Sequence, residues 1–303
     1  TSREDIEELH LKKAKEIYIL GEGAKSPNEE DHDAYNIDCL ENISEYMSKE
    51  EVKAYRKRVF NNEDRIRCHV NLEYQGTFTA FKATHIYRRL DKDIEFIPFN
   101  IHELWAKKIL VDNFAIYPDG EKGRVKVQKY FPIDGSDGID YDSEKMVHVV
   151  IVGMNQMGTA LGMQAALLAH YPNFLRDQRL RTTITFIDDH AKEEGEYLRG
   201  RFASLFDLCR YKNVVSDREN VFYEGDPIQD MPFIDPMEGS ERYEHLGLNC
   251  MDLQWEFIQG NVAEDRVKEY LIDLTDDPNK IVTIAICLNN PQQAIAAALV
   301  SSG

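Results

Sequence analysis

Residues 146–158 read MVHVVIVGMNQMG and combine an apolar run with a turn framed by two glycines. The seven residues before the first glycine are mostly β-forming and apolar, which predicts a buried strand, and the periodicity of Met157–His170 predicts a helix. Between them, Gly153 and Gly158 have the spacing of the GxGxxG fingerprint, with Asn155 in the middle position. In that motif the first glycine permits the tight turn and the third lets helix and strand approach. The helix N-terminus then attracts a pyrophosphate.

The asparagine in the middle position leaves the interpretation of this turn open. Asn155 tolerates the left-handed conformation better than most residues, but its side chain needs space that a glycine would leave for a phosphate. It would therefore either hydrogen-bond the phosphate or crowd it. A turn of this kind is also required wherever a strand bends sharply into a helix, with or without a ligand.

An acidic residue at the end of the second predicted strand favours nucleotide binding. Asp188 ends the apolar run Thr182–Asp188, and Asp189 follows it. It lies thirty residues beyond Gly158, against roughly 20 in the usual fingerprint. The polar segment Tyr171–Arg181 accounts for the excess as a longer connection. A carboxylate at this place accepts hydrogen bonds from the adenosine ribose, and it favours NAD(H) or an adenosine nucleotide over a 2′-phosphorylated cofactor.

Strands alternate with helices along most of the chain. This pattern predicts an α/β fold of Rossmann-like, doubly wound parallel sheets with helices on both faces. The alternation is lost where prolines and glycines lie among charged residues, so we expect two consecutive partial units. The expected boundaries are 1–115 for the first unit, 116–145 for a linker with one strand near Arg124–Val127, and 146–303 for the second unit, with an irregular insertion at about 211–248.

The charge, the apolar runs and the cysteines of the chain indicate which partners and which cellular location are favoured. The chain has 303 residues, with 36 Lys and Arg against 54 Asp and Glu, and its formal charge of −18 makes nucleic acid an unfavourable partner. Its apolar runs are far shorter than the roughly 20 residues needed to cross a bilayer, and no signal peptide is visible. Five cysteines without a CxxC pair are typical of a reducing compartment, which favours a cytoplasmic location.

Other side chains carry no assignable chemistry. The histidines, His148 included, show no metal-ligand spacing, so we expect no metal site and interpret them as core or surface residues. The cluster Asp31–Asp33 is interpreted as a solvated turn or a helix N-cap. The sequence contains no GxSxG elbow and no P-loop, and no catalytic residue can be assigned. Trp105 and Trp255 lie in apolar patterns and are expected in the core.

Several stretches carry a family resemblance. In the second unit they are VVIVGMNQMGTAL at 149–161, ITFID at 184–188, WEFIQGNVAEDRVKEYL at 255–271 and IVTIAICLNN at 281–290. In the first they are KAKEIYILGE at 13–22, HDAYNIDCLENI at 32–43, CHVNLEY at 68–74 and IEFIPFNIHELWAKKIL at 94–110. The second unit resembles the nucleotide-binding (TrkA-N-like) domain of Trk-type potassium-uptake regulators and of RCK (regulator of K⁺ conductance) channel domains. The first resembles the C-terminal half of another such domain, with Asp33 and Asn36 at the family's Asp/Asn-containing helix start.

The resemblance implies a non-catalytic cytosolic domain that binds NAD(H) or another adenine nucleotide and gates a membrane potassium channel or transporter. That membrane protein is either a partner or part of the same polypeptide, attached to the inner face of the plasma membrane through segments outside this chain. The two partial sheets would complete one composite sheet, or each would pair with a second chain, so we expect a homo-oligomer. The expected cofactor-binding residues are Gly153, Met154, Asn155, Gln156, Met157, Gly158, Asp188, Asp189, Gly260, Asn261, Leu288 and Asn289.

The chain also departs from the family pattern, and two other functions stay open. The family has Gly-Asp where this chain has Gly260-Asn261, and the first unit begins after the position of its own fingerprint. An NAD-dependent oxidoreductase would need an acid or base beside the nicotinamide, and none can be assigned. A structural or dimerising scaffold with a degenerate nucleotide site is favoured by Asn155 and Asn261, which replace residues at ligand-facing positions.

Overall fold

The chain folds into two compact α/β units, Thr1–Leu104 and Trp105–Gly303. The computed structural model describes residues 3–21, 31–60, 65–73, 75–90, 92–111, 114–118, 125–129, 133–206, 208–216, 222–224 and 251–301. Parallel sheets flanked by helices confirm the predicted Rossmann-like fold class. No helix within these ranges is long and apolar enough to cross a bilayer.

The described part of the first unit contains three strands and five complete helices, and the boundary between the units falls within a sixth helix, after Leu104. Its elements are α1 (Arg3–Glu8), a 3₁₀ turn (Leu11–Lys13), β1 (Glu16–Ile19), α2 (Asp31–Met47), α3 (Glu50–Val59), β2 (Ile66–Asn71), α4 (Gln75–Ala83), α5 (His85–Leu90), β3 (Ile94–Phe99) and α6 (Ile101–Val111). The strands form a parallel sheet in the order β1-β2-β3. Cys68 and Val70 of β2 are fully buried against Leu40 and Ile43 of α2, so the central strand and this helix form the core.

Two polar side chains of α2 are buried at the carboxyl end of β2. The carboxylate of Asp33, 1% exposed, accepts a hydrogen bond from the Glu73 amide at 2.7 Å. The Asn36 side-chain amide donates to the Asn71 carbonyl at 2.8 Å. The interpretation of Asp31–Asp33 as a solvated turn or a helix N-cap is therefore wrong for Asp33, which lies inside α2 and accepts its hydrogen bond from outside the helix, next to the end of β2.

The second unit contains the larger sheet. Its elements are β4 (Phe114–Pro118), β5 (Val125–Lys129), β6 (Met146–Val152), α7 (Gln156–Leu168), 3₁₀ turns at Pro172–Leu175 and Gln178–Leu180, β7 (Thr182–Asp188), α8 (Ala191–Arg201), α9 (Ala203–Phe206), β8 (Arg210–Ser216), β9 (Phe222–Glu224), β10 (Leu253–Gln259), α10 (Asp265–Asp276), β11 (Lys280–Ile286) and α11 (Pro291–Ser301). The six-stranded sheet has the order β11-β6-β7-β10-β8-β9, and its first five strands are parallel.

Helices cover both faces of this sheet because the strands are apolar on both faces. On one face, Ile151, Phe186 and Phe257 pack with residues of α7 and α8. On the other, Val150 and Ile258 pack with residues of α10 and α11. From β6 the chain moves to β7 on one side and reaches β11, on the other side, only after all the other strands. A topological switch point therefore lies between β6 and β11, where ligands of such sheets bind at the carboxyl ends of the strands.

Three details differ from the sequence-based predictions. The sequence predicts an irregular insertion at about 211–248, but strands β8 (Arg210–Ser216) and β9 (Phe222–Glu224) form within this region and β8 pairs with β10; residues 217–221 and 225–248 lie outside the described residues. The region predicted as a linker with one strand carries the antiparallel pair β4 and β5. Trp255 is fully buried as expected, but Trp105 is 51% exposed.

Candidate functional site

The turn after β6 requires both of its glycines. Gly153 has φ of 101°, in the left-handed region, and a Cβ there would lie 2.6 Å from the Cys287 carbonyl oxygen. A Cβ on Gly158 would lie 2.0 Å from the Gly153 carbonyl oxygen. The first glycine therefore makes the turn and the third allows helix α7 to approach β6, which are the roles the motif predicts.

Asn155 caps helix α7. Its backbone is extended, with φ of −70°, so the left-handed conformation that asparagine tolerates is not used. Its Oδ1 accepts a hydrogen bond from the Gly158 amide at 3.0 Å, which satisfies one of the helix-start donors. Its Nδ2 donates to Oδ1 of Asn289 at 2.8 Å and to the Cys287 carbonyl. Both ends of this side chain are therefore bound within the protein.

Asp188 lies directly beside the glycine turn. Its Oδ2 accepts a hydrogen bond from the Met154 amide at 2.9 Å, and its Oδ1 accepts one from the His190 amide at 2.9 Å. The two 3₁₀ turns between α7 and β7 account for the long spacing in sequence. Parallel pairing of β6 with β7, with Val152 opposite Ile187, then brings the carboxylate to the turn.

The remaining expected site residues are distributed around this edge. The Gly260 amide donates to the Asp188 carbonyl at 3.1 Å, so the end of β10 adjoins the end of β7. Leu288 lies against Gly153 from the end of β11. Asn261 accepts a hydrogen bond from the Ala263 amide at 3.0 Å, which is a local turn contact. Of the others, Met154 is buried, Gln156 and Met157 begin α7 half-buried, and Asp189 is exposed.

Part of the hydrogen-bonding capacity of this edge is already used within the protein, because the Gly158 amide donates to Asn155 and both oxygens of Asp188 accept backbone hydrogen bonds. No protein-family model, curated protein or solved structure matches this chain. Within the described ranges, no group of three or more His, Cys, Asp or Glu residues could hold a metal ion. The geometry of the edge is therefore the structural basis for assigning a ligand to this chain.

Sequence reasoning missed a second polar group, which lies halfway along the same strands. Glu256 of β10 is 4% exposed, and its carboxylate accepts four hydrogen bonds. The donors are Lys212 Nζ and Tyr270 OH, each at 2.8 Å, and Thr185 Oγ1 and Gln254 Nε2, each at 2.9 Å. The available signal was a short alternation: in LQWEFIQ, Gln254 and Glu256 lie two residues apart and therefore point to the same face of the sheet.

Burial and charge set the protonation of this group. Burial acts to raise the pKa of Glu256, but the Lys212 ammonium and the hydrogen bonds hold it below its ordinary value. Burial lowers the pKa of His148, which contacts Thr185 Oγ1 at 2.7 Å, from 6.5 to about 4. Burial, together with the neighbouring carboxylate, raises the pKa of Tyr270. At neutral pH the group therefore contains one ion pair, a neutral imidazole and a neutral phenol.

The buried neutral imidazole predicts a pH-dependent stability. The unfolded chain binds a proton at His148 near pH 6.5, whereas the folded chain does so only near pH 4, so stability falls with decreasing pH across this window. We expect His148 to account for a loss of about 3 kcal/mol in the free energy of unfolding between pH 7 and pH 4. Urea unfolding of wild type and His148→Gln over this range measures the difference in slope. His85→Gln, at an exposed histidine, is the control, and equal slopes for all three proteins would contradict the assignment.

Proposed function

We propose that the second unit binds an adenine nucleotide, NAD(H) by preference, at the Gly153–Gly158 turn. The observation that carries this proposal is the hydrogen bond from the Met154 amide to the Asp188 carboxylate. This contact supports the proposal because the acid that would bind the ribose and the turn that would bind the phosphates lie side by side, at the switch point of a parallel sheet.

The chemistry of this edge favours NAD(H) over its 2′-phosphorylated form. A carboxylate repels the additional phosphate, whereas it accepts hydrogen bonds from a ribose diol. The start of α7 presents first-turn amides and the positive end of the helix dipole to a pyrophosphate. No acid or base is assigned beside the nicotinamide position, so the proposed role is binding without turnover.

The proposed biological role rests on the sequence resemblance to Trk-type regulators and RCK domains. We propose that nucleotide occupancy regulates a potassium channel or transporter on the cytosolic side of the membrane, by shifting the population of two domain arrangements. We also propose that the chain self-associates. Among the described residues, β11 is an edge strand of its sheet and is half-buried along its length, and an edge strand can pair with a strand of a second chain.

A thermal-shift panel tests the nucleotide proposal. We expect NAD⁺ or NADH to stabilise the chain, by about 2.7 kcal/mol at a ligand concentration 100 times the dissociation constant, and NADP⁺ to stabilise it less. Asp188→Ala should weaken the effect, whereas Asp142→Ala, which removes an exposed aspartate just before β6, should preserve it. No shift with NAD(H), ATP, ADP, AMP or cyclic dinucleotides at millimolar concentration would reject the proposal.

The alternative of a scaffold with a degenerate nucleotide site also has a specific observation in its favour. The Asn155 side chain takes the Gly158 amide that a phosphate would use, and both oxygens of Asp188 already accept backbone hydrogen bonds. A complete absence of ligand shifts would favour this alternative. Hydride transfer from NADH to an added carbonyl substrate, followed by absorbance, would instead favour an oxidoreductase.

A further inference from the structure

A cavity of about 300 Å³ lies at the amino ends of the parallel strands, at the opposite end of the sheet from the glycine turn. All five parallel strands contribute to its wall near their first residues. Met146 begins β6, Arg210 begins β8 and Lys280 begins β11. Thr183 and Gln254 are the second residues of β7 and β10. The position is distinct from the proposed nucleotide site, because no residue of the Gly153–Gly158 turn lines it.

The wall of this cavity is cationic in a strongly acidic chain. Among the described residues, one carboxylate, that of Glu256, lines it together with five cationic side chains, those of Arg179, Arg181, Arg210, Lys212 and Lys280. The adjoining cavity of about 670 Å³ is lined by three cationic and three acidic side chains. The excess of positive charge is therefore specific to the smaller cavity, and it is not a general property of this end of the sheet.

The one carboxylate in the wall is fully engaged. Its four hydrogen bonds come from within the protein, and the Lys212 ammonium compensates its charge. Arg179 pairs with Asp177 and Lys280 pairs with Asp277, both in the adjoining cavity and both partly in water, where such pairs are weak. Arg181 is 4% exposed and its guanidinium lies over the Phe174 ring, so this cation is buried in the wall.

A buried imidazole in the same wall lacks a partner for one nitrogen. Thr185 and Tyr270 each donate a hydroxyl proton to Glu256, so His148 Nε2–H donates to the Thr185 oxygen. His148 Nδ1 is then an acceptor, and it makes no hydrogen bond within the described part of the chain. Buried polar atoms are nearly always satisfied, so a site that admits a water or a ligand donor accounts for this one.

We propose that this cavity binds a small phosphate-bearing molecule. A phosphate group carries about −1.5 to −2 charges at neutral pH and three acceptor oxygens, which matches a wall with several cationic donors around one compensated carboxylate. Guanidinium groups bind such oxyanions in a bidentate manner. The volume lies at the lower end of the range for small-molecule sites, roughly 300–1,000 Å³. A metabolite of modest size therefore fits better than a dinucleotide.

Calorimetric titration of the full chain with inorganic pyrophosphate tests this site. We expect saturable binding to wild type that Arg210→Gln and Lys280→Gln each weaken about tenfold or more, because each removes a charged donor. Lys192→Gln, at an exposed lysine of α8, should bind like wild type. The melting temperature of each variant reports its folding. If Arg210→Gln does not fold, Lys280→Gln still tests the site, because Lys280 is partly exposed and its replacement should not prevent folding.

The outcomes separate this site from the nucleotide site. No pyrophosphate binding at millimolar concentration, or binding that neither Arg210→Gln nor Lys280→Gln alters, would overturn the inference. Pyrophosphate binding that these two variants weaken, in a chain indifferent to NAD(H), would support this site and reject the nucleotide proposal. NAD(H) binding unchanged in both variants, together with weakened pyrophosphate binding, would support two independent sites.

Discussion

Replacing Gly158 with valine is expected to abolish adenine-nucleotide binding and to lower the free energy of unfolding by about 3 kcal/mol. A Cβ at this position would lie 2.0 Å from the Gly153 carbonyl oxygen and 3.2 Å from Ile151 Cγ2. The first of these neighbours is backbone, so the helix must move away from the strand. The amides at the helix start then leave the phosphate position. Titration with NAD(H) and urea unfolding measure the two effects.

Gly200 provides the matched control for this substitution. It also lies in a helix, α8, but a Cβ there meets no atom within 4 Å among the described residues. Gly200→Ala should therefore stabilise the protein by about 0.5–1 kcal/mol, because alanine restricts the unfolded chain and favours the helix. Folded Gly158→Val that binds NAD(H) with wild-type affinity would show that the turn is not the nucleotide site.

Replacing Lys212 with methionine is expected to lower the free energy of unfolding by about 3 kcal/mol, since it leaves the buried Glu256 carboxylate without its cationic partner. The ammonium lies 2.8 Å from Oε1, and the glutamate side chain is 5% exposed. The pKa of Glu256 should rise in this variant, so the stability that its ionised form contributes should be lost at a higher pH than in wild type.

A double-mutant cycle isolates this interaction. Lys212→Met combined with Glu256→Gln removes both charges, and we expect the pair to be less destabilised than the sum of the single variants by more than about 1 kcal/mol. Urea unfolding at neutral pH measures all four proteins. Additive effects within about 0.5 kcal/mol would show that the two charges act independently, contrary to the contact described here.

The local sequence was sufficient to predict the strand–turn–helix unit that contains the candidate site. The apolar run of β6 and the glycines at 153 and 158 are constraints that act over a few residues, so their roles could be read directly. The buried face of a helix is also set by nearby residues, but predicting it requires knowing which positions of the helical period face the core. Ala106 and Leu110, four residues apart, are the buried positions of α6, and Trp105 lies one residue away from that face.

Interactions between distant segments could not be read from the sequence. The Asn155 side chain donates hydrogen bonds to Cys287 and Asn289, which lie more than 130 positions away in the sequence. The residues of the turn alone do not predict these partners. Strand β8, RYKNVVS, was missed because its charged residues are typical of a loop. Lys212 is tolerated in the sheet because Glu256 of the neighbouring strand neutralises it, and that pairing exists only once the sheet is assembled.

The glycine turn and the cationic cavity lie at opposite ends of β6, and this separation limits how binding at one site can affect the other. A seven-residue strand is about 23 Å long, whereas electrostatic effects through physiological saline decay over roughly 8 Å. A charge bound at one end is therefore invisible to the other through the solvent. Coupling through the protein itself would run along packed strands, since Val149, Val150 and Ile151 of β6 are buried, so a substitution that loosens the middle of β6 should weaken that coupling while leaving each end able to bind.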